Sequence, residues 1–165
     1  MPKRSGVNDA RTEPAIARSA LLSLGVRRSV ILVAEDEAVI RELITLVLRR
    51  DGHVVLSADD GEEGLELSRK YPGKIDLVIT DVNMPRMNGI DLYGQLMKER
   101  PGIKVLVMSG MDIGKIVTQK ANALFLPKPF NGETLKAKVC KILAAAPRPE
   151  IHPEISEPPG MRRPD

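Results

Sequence analysis

Three short, unbroken apolar runs constrain this chain more than any other feature: Val-Ile-Leu-Val from Val30, Leu-Val-Ile from Leu77 and Val-Leu-Val-Met from Val105. A run of this length is too short for a helix buried on all sides. It also lacks the polar alternation of a strand with one wet face, so each reads as a strand covered on both faces. Strands are expected at 30–34, 53–57, 76–80, 104–108 and 124–126, with the three continuous runs at the centre of the sheet. Between them lie stretches whose apolar residues recur every three or four positions: Val39, Leu43 and Val47; Ile90, Tyr93 and Met97; Leu135, Val139 and Ile142. That spacing is helical. Asp60 with Glu63 forms a D-x-x-E capping box, and Asn88 and Asn131 stand as N-caps whose side-chain oxygens can accept unpaired backbone N–H groups. Strand alternating with helix gives an α/β domain, a (βα)5 doubly wound five-stranded parallel sheet with five helices.

The flanks have a different composition. Residues 1–28 hold six basic and two acidic side chains, whereas residues 29–145 hold sixteen of each. The sequence pI near 9.1 therefore belongs largely to a basic N-terminal extension, expected to be solvated and disordered or partly helical. Six of the thirteen prolines fall between Pro147 and Pro164, so 146–165 is expected to be a disordered tail. With only that tail after the last helix, no output domain is expected. The four aromatics (Tyr71, Tyr93, Phe125, Phe130) show no interleaving with basic residues, which argues against direct DNA or single-strand binding. Cys140 is alone, which excludes an internal disulfide and favours a reducing, cytoplasmic setting. The apolar stretch 15–26 is interrupted by Arg18 and too short to span a bilayer, so no membrane segment is expected.

In an open parallel sheet, functional groups collect beyond the carboxyl ends of the strands. Here the first strand runs into Glu35-Asp36, the third into Asp81 and the fourth into Ser109, while Lys128 follows the fifth. Three carboxylates on one edge repel unless neutralised, and carboxylate oxygens with water suit Mg²⁺ or another hard divalent cation rather than zinc or copper. A carboxylate is a competent nucleophile toward phosphorus. Lys128 as a point cation and Ser109 as a hydroxyl donor could then stabilise charge on the transferring oxygens. Asp81, at the end of the middle strand, is the economical nucleophile.

The segments Val30-Ile-Leu-Val-Ala-Glu-Asp-Glu37, Asp76-Leu-Val-Ile-Thr-Asp-Val-Asn-Met-Pro-Arg-Met-Asn-Gly89, Val105-Leu-Val-Met-Ser-Gly110 and Phe125-Leu-Pro-Lys-Pro-Phe130 closely resemble the bacterial two-component response-regulator receiver family. The resemblance covers 29–145, with four separated motifs in the family's order, and implies a flavodoxin-like, CheY-like fold. It also implies that Glu35 and Asp36 bind Mg²⁺, that Asp81 is the phosphoacceptor, and that the backbone carbonyl of Asn83 completes the metal shell. By the same resemblance Ser109 is the switch hydroxyl, Lys128 contacts the phosphoryl group, Phe125 is the switch aromatic and the Lys128–Pro129 bond is cis. The implied donor is a sensor histidine kinase or histidine phosphotransfer protein, and the implied output is contact with a further protein. Such a domain catalyses only its own phosphorylation and dephosphorylation. The stretch between Ser109 and Lys128 is shorter than in most members, so the fourth helix is expected to be short or irregular.

Three other readings stand beside this one. A haloacid-dehalogenase-like phosphatase also orders Asp, Ser and Lys on a doubly wound sheet, but Asp81-Val82-Asn83 lacks the second acid of its D-x-D. A P-loop or dinucleotide protein needs a glycine-rich turn where this chain has Ala34-Glu35-Asp36-Glu37. A pseudo-receiver that binds partners without phosphorylation would not take up acetyl phosphate.

Overall fold

The computed structural model describes residues 28–110 and 124–145. Five parallel strands, β1 (Val30–Ala34), β2 (Val54–Ala58), β3 (Leu77–Asp81), β4 (Lys104–Ser109) and β5 (Leu124–Pro127), form one sheet in the order β2-β1-β3-β4-β5. Four helices lie among the described residues: α1 (Ala38–Arg50), α2 (Gly61–Lys70), α3 (Gly89–Glu99) and α4 (Gly132–Ala144). The short fourth helix expected between Ser109 and Lys128, the N-terminal extension up to residue 27 and the tail from 146 fall outside the described residues. The three continuous apolar runs occupy the centre, as their composition requires. Observed strands β2 and β3 start and end one residue later than expected, and β4 and β5 each run one residue further.

Successive strand side chains point to opposite faces, which divides the core in two. Ile31, Val33, Leu77, Ile79, Leu106 and Met108 pack with Ile44 and Leu48 of α1 and with Leu135, Val139 and Ile142 of α4. Leu32, Ala34, Val78, Val105 and Val107 pack on the other face with Leu65 of α2 and Leu92 and Leu96 of α3.

The last helix buries the stripe expected of it, but two others do not. In α1 the buried residues are Ile44 and Leu48, with Ile40 and Val47 partly covered, while Val39 is 79% and Leu43 40% exposed. In α3 the buried pair is Leu92 and Leu96, with Tyr93 partly covered, and Ile90 and Met97 lie outside. Both helices carry two parallel apolar stripes at helical spacing. The stripe that meets the sheet is chosen by the rotation each helix adopts on docking.

The helix starts follow their caps. Asp60 Oδ1 accepts the Glu63 N–H at 2.9 Å, and the Glu63 carboxylate reaches back to the Asp59 N–H at 2.7 Å. Asn88 Oδ1 accepts from Ile90 and Asp91, both at 2.9 Å, and Asn131 Oδ1 accepts from Thr134 at 2.8 Å. Arg100 closes α2 from outside, donating to the Ser68 hydroxyl and to the carbonyls of Ser68, Tyr71 and Gly73 at 2.6–3.0 Å. These four bonds tie the end of α2 to the end of α3.

Candidate functional site

The strand order places one sheet edge under special strain of charge. From β1 the chain goes outward to β2, then crosses to β3 on the other side, so the loops after β1 and β3 diverge and leave a crevice between them. Glu35 and Asp36 follow β1 on one side, and Asp81 ends β3 on the other. Strand pairing sets the rest: Ala34 lies beside Thr80, Asp81 beside Met108, and Ser109 beside Pro127, one residue before Lys128.

Glu35, Asp36 and Asp81 each offer one carboxylate oxygen to a cluster in which all three lie within 4.8 Å of one another. The Lys128 ammonium stands between two of them, 2.9 Å from Glu35 Oε2 and 3.1 Å from Asp81 Oδ1. Glu35 and Asp81 are buried, and Asp36 is exposed. Burial pushes the Glu35 carboxyl above its ordinary range; the Lys128 hydrogen bond and charge oppose this, and the Asp81 charge reinforces it. Burial acts to lower the Lys128 pKa, but its hydrogen bonds and charge contacts with Glu35 and Asp81 outweigh that, so the ammonium is held more firmly than usual. Three negative groups thus face one positive group. An all-oxygen donor set with uncompensated negative charge fits a hard divalent cation such as Mg²⁺.

Backbone groups orient the acids. The Asn83 N–H donates to Asp81 Oδ2 at 3.0 Å, which places the Asn83 backbone directly beside the Asp81 carboxylate. The Glu37 N–H donates to Glu35 Oε1 at 3.2 Å. The Lys128 N–H donates to the Ser109 carbonyl at 2.9 Å, and the Lys128–Pro129 peptide bond is cis. Ser109 is buried at the end of β4, and Phe125 is half-buried beside Val107. The structure therefore brings Glu35, Asp36, Asp81, Asn83 and Lys128 together, with Ser109 at the adjacent strand end. His53 lies at the far end of β2, its Nδ1 accepting the Ser29 N–H at 3.3 Å.

Two supports had no clear signal in the sequence. Arg41, on α1, donates to the carbonyls of Glu35 at 2.6 Å and Asp36 at 3.2 Å, and so braces the acidic turn. Gly89 starts α3 so close to β3 that a Cβ there would press on the Asp81 carbonyl. An arginine one turn into a helix and a glycine after an N-cap are common, and only the packing shows what these two touch.

Comparison with known proteins agrees with this geometry. Residues 31–140 match the family model described as the response regulator receiver domain. The chain is 38% identical over 104 residues to the transcriptional regulatory protein PdtaR of Mycobacterium tuberculosis, covering 61% of this chain and 50% of PdtaR. It is 34% identical over 116 residues to the sensor kinase CckA of Brucella abortus, covering 68% of this chain and 12% of CckA. The chain thus spans half or less of the length of these relatives. Among solved structures, the response regulator TrrA of Thermotoga maritima, in complex with Mg²⁺ and BeF, superposes with a TM-score of 0.60 at 32% identity, covering 69% of this chain and 98% of TrrA. A matched domain over most of the described fold, with the acids and lysine gathered at its strand ends, shows that the chain belongs to the response regulator receiver family, the phosphoacceptor signalling domains of two-component systems.

Proposed function

We propose that Asp81 is the phosphoacceptor. The observation that carries this is the Lys128 ammonium bridging Glu35 and Asp81 within a cluster of three carboxylates. An Asp81 carboxylate oxygen attacks the phosphorus of a phosphohistidine on a histidine kinase or phosphotransfer protein. The O–P bond forms as the P–N bond breaks, and the donor imidazole leaves. Glu35, Asp36, Asp81 and the Asn83 backbone carbonyl would hold Mg²⁺, which when bound supplies positive charge against the repulsion between carboxylate and phosphoryl oxygens. The Mg²⁺ and BeF held by TrrA support this ligand class.

Each neighbouring group then has a task. The Asn83 N–H on Asp81 Oδ2 leaves Oδ1 facing Lys128, so that ammonium is placed to meet the incoming phosphoryl oxygens. The Ser109 hydroxyl, one strand away, moves toward the phosphorylated carboxyl, and Phe125 turns inward behind it. In this reading the output is contact with another protein, since residues 29–145 hold sixteen basic and sixteen acidic side chains and so carry no net positive charge to draw the domain to DNA. The compartment this reading assigns is the cytoplasm; no helix among the described residues is long and apolar enough to cross a membrane. The test is labelling with acetyl phosphate in Mg²⁺: the wild type should become an acyl phosphate and Asp81→Asn should not. Persistent labelling of the variant at another residue would sink the assignment.

A further inference from the structure

Residues 82–88, between β3 and α3, carry the Asn83 backbone that lies against Asp81. In the middle of this loop Arg86 has φ +63°, the one positive-φ residue other than glycine among the described residues. An L side chain disfavours that region, and a residue stays there only where its surroundings hold it. What surrounds Arg86 is the turn before α2 and the first turn of that helix. Its guanidinium lies 2.9 Å from Asp59 Oδ1, 4.0 Å from Glu62 Oε2 and in direct contact with Asp60 Oδ2. Asp60 is fully buried. Its Oδ1 is committed to the Glu63 N–H as the helix cap, which leaves Oδ2 for Arg86. A buried carboxylate without a counter-charge is costly, so this contact is strongly specified.

The next residue is held as well. The Gly61 N–H donates to the Met87 carbonyl at 3.2 Å, and a Cβ on Gly61 would collide with that carbonyl and lie 2.8 Å and 2.9 Å from the Met87 side chain. Two consecutive loop residues are thus pinned to the start of α2, while the Gly89 N–H on the Val82 carbonyl at 3.1 Å closes the loop at its base. We infer that Arg86 is a positioning residue of the phosphorylation site: its ion pair with buried Asp60 holds loop 82–88 in the conformation that sets the Asn83 backbone beside Asp81. Neither residue touches the carboxylate cluster, and the inference rests on the reading of that cluster given above.

The test uses the full chain with Arg86→Ala, Arg86→Lys and Asp60→Asn, the last retaining the cap oxygen in case Arg86→Ala fails to fold. Without metal, amide exchange at Gly61 and Asn83 should quicken in Arg86→Ala while exchange in α4 stays unchanged. Mg²⁺ affinity measured by calorimetry should fall about tenfold or more, the range seen when an outer support of a metal site is removed. Arg86→Lys should recover part of the loss, since an ammonium still meets Asp60, and Asp60→Asn should resemble Arg86→Ala. Wild-type Mg²⁺ affinity in Arg86→Ala overturns the inference alone. A wild-type chain that binds no Mg²⁺ overturns the reading of the site and this inference with it.

Discussion

Two glycines of α3 meet opposite surroundings, and replacing each with alanine should move stability in opposite directions. At Gly89 an added Cβ would press on the Asp81 carbonyl oxygen and lie 2.9 Å from both the Asp81 carbonyl carbon and Thr80 Oγ1. These atoms belong to the buried end of the central strand, so either the strand end or the helix start must shift. Overpacking of this kind costs about 1–3 kcal/mol. At Gly94, in the same helix, an added Cβ meets nothing within 4 Å. Alanine there should stabilise by up to about 1 kcal/mol, because the unfolded chain loses freedom and the helix gains a better former. The two variants should therefore differ by about 1–4 kcal/mol. With a urea slope of about 1–3 kcal/mol/M, their unfolding midpoints should separate by at least about 0.3 M. Gly89→Ala should also slow acetyl phosphate labelling, since the displaced atoms carry Asp81, whereas Gly94→Ala should not. A Gly89→Ala midpoint at or above that of the wild type would refute the reasoning.

Burial holds the His53 pKa below its ordinary 6.5, outweighing the pull of Asp51 and Asp76. A lowered folded pKa means the fold favours neutral imidazole, consistent with Nδ1 accepting the Ser29 N–H. The contribution is fully present above pH 6.5 and is lost as the pH falls through the folded pKa. The stability difference between wild type and His53→Gln should thus be flat above that pH and shift against the wild type below it; a shift in the other direction would count against this. Arg100→Ala should destabilise by about 2–3 kcal/mol, since one guanidinium serves three carbonyls and a hydroxyl at the end of α2. Arg100→Lys should recover less than half, because an ammonium lacks the planar fork, and a melting temperature equal to that of wild type in either variant would contradict the role.

The strands and the site were legible in the sequence because their signals are local. An unbroken apolar run of three or four residues has few places to go except the middle of a covered sheet, and a polar residue at its end must lie on the sheet edge. That logic located Glu35, Asp36, Asp81, Ser109 and Lys128, and Asp60, Asn88 and Asn131 announced their helices through short-range hydrogen bonds. What the sequence left open depends on how elements dock. Val39 and Leu43 have the same spacing as Ile40 and Ile44, and only the rotation of α1 on the sheet decides which pair is buried. Arg41, Arg86 and Gly89 are unremarkable in sequence, since what each touches lies across a turn or on another element. Local periodicity determined the fold class and the strand-end acids. Tertiary contact alone decided which helix face was covered and how the loop beside Asp81 was held, because those energies exist only once distant segments meet.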